Sequence, residues 1–205
     1  TRNSGGVTSE FKNWFVIDFG ERTFDYVAVT DGKDIRKGQT EAREDHSGAI
    51  VGFRTKHRDV VTARVASSFI SLEQAERNLG ELGTKSFDEV AQAGRKTWND
   101  VLGRIEVQGG SEEQMRTLYS CLWRSLHFPR RFYELDAQGK PVHYSPYNGK
   151  VLPGYLFADT GVWDTFRCLF PFLNLVYPSM NREMQAGLVN AYLESGYLPE
   201  WSSPG

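Results

Sequence analysis

Apolar and polar positions along the chain change their period once, near Ser71. Before that point the apolar residues come in short runs bounded by turn residues. Trp14-Phe15-Val16-Ile17-Asp18-Phe19 is rich in aromatic and β-branched side chains, and Phe24 to Val29 alternates at its start before the turn dipeptide Asp31-Gly32. Ala49 to Thr55 and Val60 to Ile70 read as two further strands, with a turn near His57-Arg58-Asp59 between them. Short strands without helical patterns between them predict an antiparallel sheet that is part of a sandwich. Four strands alone would leave sheet edges open, so more strands are expected upstream.

After Ser71 the period is helical. Ser71-Leu72-Glu73-Gln74, Ser86-Phe87-Asp88-Glu89 and Ser111-Glu112-Glu113-Gln114 each have the form of a capping box, in which an N-cap hydroxyl and a side chain three residues on satisfy each other's backbone donors. The first helix is predicted to run to Leu79 and stop at Gly80. The second places Phe87, Val90, Ala91, Trp98, Val101 and Leu102 on one face and closes at Gly103. Arg104 to Gln108 reads as a short strand. The third helix is expected to bury the stripe Met115, Leu118, Tyr119, Leu122 and Leu126.

From Pro129 to Asp159 the pattern dissolves into turn residues and tyrosines and reads as a long loop, a kind of segment that often carries function. A helix resumes near Val162, with Phe166, Leu169, Phe170 and Leu173 on one side, and Pro171 should kink or end it. Another runs from Ser179 to Ser195 and stops at Gly196. Tyr197 to Gly205 is a loop holding Trp201 and Pro204. Helical hairpins with elaborate loops suggest an arrangement about an axis. Three helices cannot close a ring, so the chain is expected to stop in a loop of an unfinished architecture.

Composition narrows the function. A formal net charge of -2, without a stripe of Lys or Arg, gives no electrostatic case for nucleic acid or an anionic membrane. No apolar run approaches the roughly 20 residues that span a bilayer. Thr1-Arg2-Asn3-Ser4 lacks the features of a signal peptide. Cys121 and Cys168 do not have metal-ligand spacing and are expected to be buried free thiols, a disulfide between them remaining the alternative. His46, His57, His127 and His143 are scattered, which argues against zinc, and His127 is expected to face the C-terminal dipole of its helix. No phosphate loop, GxSxG elbow or CxxC motif occurs.

The densest candidate chemistry is Asp159-Thr160-Gly161-Val162-Trp163-Asp164-Thr165-Phe166-Arg167. A carboxylate and a guanidinium three apart share a helical face. There the carboxylate can accept from a vicinal diol while Arg167 donates to the next hydroxyl, and an indole offers its face to sugar C–H groups. The plainer alternative is a helix-start carboxylate with an i,i+3 ion pair to Arg167. Leu198-Pro199-Glu200-Trp201 sets a second carboxylate beside a second indole; a simple surface loop is the alternative there. Asp25, Asp31, Asp34, Glu41, Glu44 and Asp45 read as a solvated surface.

Trp163-Asp164-Thr165-Phe166-Arg167, followed by Leu169 and Pro171, resembles the WDTFRxLxP block of glycoside hydrolase family 92, the exo-acting α-mannosidases. Four further blocks resemble that family in order: Ser68-Phe69-Ile70-Ser71 with Ala75 and Asn78-Leu79; Trp98-Asn99 with Leu102 and Arg104-Ile105-Glu106-Val107; Leu118-Tyr119, Leu126-His127, Pro129-Arg130 and Asp136; and Gly196-Tyr197-Leu198-Pro199-Glu200-Trp201. The resemblance covers residues 60 to 205 well and the first sixty weakly. Gly161-Val162 depart from the more usual Ser-Leu, and Tyr197 stands where Trp is common.

The resemblance implies a multidomain β + α chain: residues 1–70 end an N-terminal β-sandwich, 71–110 form a two-helix linker, and 111–205 begin an (α/α)6 toroid. It implies hydrolysis of terminal mannose from glycans, of α-1,2 type, with inversion, in which an acid and a base stand roughly 6.5–9.5 Å apart to admit water. It implies a calcium ion, a hard cation suited to sugar hydroxyls. The acid, base and calcium ligands are expected beyond Gly205, so no catalytic or metal residue is assigned here. Asp164 carries over as a contact to the terminal mannose, with Trp163, Arg167 and Trp201 lining or supporting the pocket. A periplasmic or secreted location follows from the family and the substrate. A non-catalytic carbohydrate-binding module and a toroidal glycosidase acting on another sugar stay open as alternatives.

Overall fold

The computed structural model describes residues 11–202 as a mixed β and α chain. The start at Thr1-Arg2-Asn3-Ser4 and the end at Ser203-Pro204-Gly205 lie outside the described residues. Contacts divide the chain into two compact units, Ile17–Val65 and the remainder. The division falls within strands β1 (Trp14–Asp18) and β5 (Arg64–Ser68), which pair with each other.

In the first unit β2 (Tyr26–Thr30) is the centre of an antiparallel sheet between β3 (Ile35–Lys37) and β4 (Gly48–Gly52). Val29 stands opposite Arg36, and Val27 opposite Val51. Ala28 and Val29 are buried. Phe19, Phe24 and Phe53 meet through tilted and edge-on rings with centroids 5.2 to 5.7 Å apart, a favoured aromatic geometry. Strand β3 was not predicted. It follows directly from the Asp31 turn, where the carboxylate accepts the N–H groups of Lys33 and Asp34, both at 2.9 Å. Those bonds, that from Asp34 foremost, hold the Asp31 carboxyl below its ordinary range.

The second unit is built from helices and very small sheets. Helix α1 (Leu72–Gly80) starts at Ser71, whose hydroxyl accepts from the Gln74 N–H at 3.1 Å. The return half of the predicted box is not made. Gln74 is buried and donates instead to Asn78 Oδ1 and the Leu135 carbonyl, a tertiary bond that outcompetes the local one. Gly80 is the last residue of α1 rather than its stop. Helices α2 (Phe87–Leu102) and α3 (Glu112–Ser125) have complete boxes at Ser86/Glu89 and Ser111/Gln114.

Two predicted features are corrected, the buried stripe of α3 and the strand at Arg104 to Gln108, and the single apolar face predicted for α2 proves largely open. The apolar face of α2 is not buried along its length: none of its residues is fully covered, and Phe87 is 76% exposed. Only its last turn, through Val101 and Leu102, packs on the cluster of Leu122, Phe157, Leu173, Tyr177 and Met184. On α3 only Leu122 is buried, and Leu118 is exposed. Among the described residues Arg104 to Gln108 pairs with no strand, so the predicted short strand is not formed there. The segment is held by single bonds, from Tyr119 Oη to the Ile105 carbonyl and from Arg104 to the Val176 carbonyl.

The stretch read as a loop is folded. β6 (Arg130–Arg131), β7 (Glu134–Leu135), β8 (Pro141–Tyr144), β9 (Val151–Pro153) and β10 (Phe157–Ala158) make two small sheets, β7-β8-β9 and β6-β10. The turn signals at Asp136 to Gly139 and Asn148-Gly149 are the bends of this meander. Its core includes His143, fully buried, whose Nδ1 faces the Gly154 carbonyl at 2.9 Å and whose Nε2 faces Glu194 at 2.8 Å.

β11 (Thr160–Gly161) leads into a four-residue helix α4 (Val162–Thr165), and a separate helix α5 (Leu169–Val176) follows. Pro171 neither kinks nor ends a long helix. It lies in the first turn of α5, where its missing N–H would have had no intrahelical partner. Helix α6 (Pro178–Ser195) begins one residue before the predicted Ser179, with Pro178 in its first turn, and ends as predicted at Gly196, in left-handed conformation at φ 85°. The chain then forms β12 (Trp201–Ser202) within the predicted terminal loop. Cys121 and Cys168 are free, but exposed rather than buried.

Candidate functional site

The two sequence blocks with carboxylate and indole side chains meet through a short ladder. β11 pairs antiparallel with β12, so that Thr160 stands opposite Ser202 and Gly161 opposite Trp201. The Asp159 N–H donates to the Ser202 carbonyl, and the Val162 N–H to the Glu200 carbonyl at 2.8 Å. The buried Ser202 hydroxyl donates to the Phe157 carbonyl at 2.8 Å. β12 is therefore tied to the end of β10 as well as to β11.

This register sets the Trp201 ring against Gly161. A Cβ placed on Gly161 would come within 2.4 and 2.5 Å of two indole carbons and 3.3 Å from Asp164 Oδ2. Only glycine leaves room for that ring. The carboxylate and the indole thus border one spot, above the backbone where α4 starts. The first turn of α4 is stiffened by Thr165, whose hydroxyl donates to the Gly161 carbonyl at 2.9 Å. Asp164 is exposed, as are Trp163 at 66% and Trp201 at 57%.

Of the predicted residues, the structure brings Asp164 and Trp201 together. It does not bring Arg167 to the Asp164 carboxylate. The Arg167 guanidinium lies 5.0 Å over the Phe166 ring instead, so the i,i+3 ion pair considered from sequence is not formed. Trp163 adjoins Asp164 in sequence with its ring toward solvent. Glu200 contributes its carbonyl to the ladder.

Two residues beside this spot stood in the sequence blocks named above, Asp159 at the head of the densest one and Arg130 after Pro129, but were given no role there. Arg130 in β6 forms an ion pair with Asp159, its Nε donating to Asp159 Oδ2 at 2.5 Å and its Nη2 lying against the same oxygen. Asp159 has φ 63°, in the left-handed region that a non-glycine residue rarely enters. The signal available was an Asp directly before Thr-Gly, since Asp tolerates that region better than most residues.

In the same unit, a cleft of about 440 Å³ is lined by Arg130 itself together with Trp98, His127, Arg131, Glu183 and Met184 among others. None of the four predicted residues lines it. His127, read from sequence as a partner of its helix dipole, lies between aromatic rings: Trp98 stacks on it at 5.8 Å and Trp123 meets it edge-on at 3.9 Å. Tyr147 packs near the ladder, and burial pushes its hydroxyl above the ordinary range, against the opposing effect of a hydrogen bond with Ser202. Among the described residues no three His, Cys, Asp or Glu side chains converge as a metal site. The residues here do not fit a calcium ion by themselves. No helix among them is long and apolar enough to cross a membrane.

Residues 74–205 match the glycosyl hydrolase family 92 catalytic domain. The chain is similar to a solved inverting mannosidase of family GH92 from Bacteroides thetaiotaomicron VPI-5482, at 42% identity and a TM-score of 0.94, covering 100% of this chain and 28% of that one. A family GH92 α-mannosidase from Bacteroides thetaiotaomicron, solved with mannoimidazole, aligns at 22% identity and a TM-score of 0.77 over 94% of this chain and 26% of its own. At that identity the likeness is one of fold. No curated protein gives a match. The chain spans little more than a quarter of the length of the mannosidases it resembles.

Proposed function

The chain belongs to glycosyl hydrolase family 92, and from that membership we propose that it is a segment of an exo-acting, inverting α-mannosidase of α-1,2 type that removes terminal mannose from glycans. In this reading residues 1–70 end a β-sandwich, 71–110 are a two-helix linker, and 111–205 open an (α/α)6 toroid. The protein works in the periplasm or outside the cell.

The observation that carries the reading is the ladder that sets the Asp164 carboxylate beside the Trp201 indole at Gly161. A carboxylate accepts hydrogen bonds from two neighbouring sugar hydroxyls, and such charge-assisted bonds are worth about 1.5–3 kcal/mol each. An indole face covers the C–H surface of a pyranose. Together they hold one ring by its hydroxyl edge and its apolar face. Trp163 and Arg167 support the rim. The acid that protonates the leaving oxygen and the base that activates water come from outside these residues, as do the ligands of a calcium ion.

The test uses the intact protein with mannosides of α-1,2, α-1,3 and α-1,6 linkage and NMR of the released anomer. Release of β-mannose, fastest from the α-1,2 substrate, is expected. No release from any α-mannoside overturns the reading, and a different fastest linkage overturns its finer part. Asp164→Ala removes both bonds and should lower kcat/KM by at least about ten- to a hundredfold, the worth of one such bond alone. An unchanged rate at subsaturating substrate would remove Asp164 from the site.

A further inference from the structure

Asp159 is where the chain passes from one ladder to another. Phe157 and Ala158 pair with Arg131 and Arg130, whereas Thr160 and Gly161 pair with Ser202 and Trp201. The left-handed turn at Asp159 makes that change of direction. A non-glycine residue in this region costs free energy unless its surroundings hold it there. Asp159 is held on both sides: its N–H donates to the Ser202 carbonyl, and its carboxylate is gripped by Arg130 from the neighbouring strand. Two residues later Gly161 caps α4 and carries the Trp201 ring, and Asp164 follows in the first turn.

We infer that Arg130 and Asp159 act as one positioning pair, which fixes the direction of residues 160–164 and thereby the placing of Asp164 against Trp201. The inference rests on the sugar-binding reading above. Neither residue needs to touch the sugar. The guanidinium suits the task because its donors are fixed in a plane, so the pair sets an orientation as well as a distance.

The pair is tested in the intact protein with Arg130→Met, Asp159→Asn and the double variant. Asparagine also tolerates the left-handed region, so Asp159→Asn removes the charge and spares the backbone. Misplacing a contact made equally to bound sugar and transition state raises KM and spares kcat, and each single variant should raise KM about tenfold with kcat within about twofold. The double variant should be no worse than Arg130→Met, because the two act as a unit. Effects that multiply, or a fall in kcat with KM unchanged, overturn the inference. Amide hydrogen exchange supplies a readout independent of activity. Residues 160–164 and 201–202 should exchange about tenfold faster in each variant while α1 is unaffected. Unchanged exchange at these residues, or equal acceleration throughout the protein, also overturns it. Wild-type protein that releases no mannose overturns only the activity reading, and exchange then decides the pair. If Arg130→Met fails to fold, Arg130→Lys, which keeps the charge and loses the planar fork, takes its place with the same outcomes.

Discussion

Helices α2 and α6 are of similar length and opposite in what holds them. α2 has the stronger local signals: a complete capping box at Ser86 and Glu89, two carboxylates in its first turn, and a clear apolar face. Yet none of its residues is fully buried. α6 has no side-chain cap at its start, and its buried residues are Asn181, Met184, Gly187 and Ala191, two of them too small to register as an apolar stripe. Local signals decide whether a segment is helical. How deeply it is packed depends on partners far away in sequence, and only α6 has them along its length. Its polar residues take part too, through Asn190 to the Tyr155 carbonyl and Glu194 to His143.

If that contrast is right, substitutions in α6 should cost several times more than those in α2. Met184→Ala should have the largest effect, about 3 kcal/mol, since it empties a buried position in the cluster with Leu173 and Tyr177. Urea unfolding measures it as a shift in midpoint at constant slope. Gly187→Val comes next, at about 2 kcal/mol, because even a Cβ there would lie 3.0 Å from the Phe157 ring and 3.4 Å from the Leu156 backbone. A neutral result would mean that the 156–157 segment yields easily.

Ser86→Ala in α2 should cost about 1 kcal/mol, the worth of one N-cap. It should also change the acid side of the stability profile. Bonds from Ser86, the backbone N–H first and the hydroxyl second, hold the Glu89 carboxyl below its ordinary range. A carboxyl lowered in the folded state contributes stability above its unfolded pKa and loses it as pH falls through the folded value. Ser86→Ala should therefore flatten the stability decline below about pH 4.5, seen in unfolding at stepped acid pH. Phe87→Ser should be the mildest, within about 0.5 kcal/mol in the 205-residue chain. A cost as large as that of Met184→Ala would erase the contrast between the helices.

The same contrast explains what was legible in the sequence. Capping boxes and Gly196 act over a single turn, and they located the starts of α1, α2 and α3 and the end of α6 within a residue or two. β1, β2, β4 and β5 were found as apolar runs, with ends overestimated. The sheets between Arg130 and Ala158 were hidden because strands of two to four residues are too short to display alternation. The individual residues of the candidate site stood out by type, and Asp164 and Trp201 were named. Their juxtaposition was not legible, since it depends on a ladder between residues about forty positions apart. The pairing of Arg130 with Asp159, two residues already present in the named blocks, was illegible for the same reason.

The bare backbone under the Trp201 ring makes positions 161 and 201 trade bulk. A hydroxymethyl group at 161 would have to evict the indole, and a smaller side chain at 201 would leave a hollow that such a group could fill. Among related proteins the two sites should change in concert, so that an Ala or Ser at 161 travels with a different residue, or a differently turned ring, at 201. Engineering either alone would then disturb the sugar's resting place, and exchanging both together is the route by which its shape could be recut.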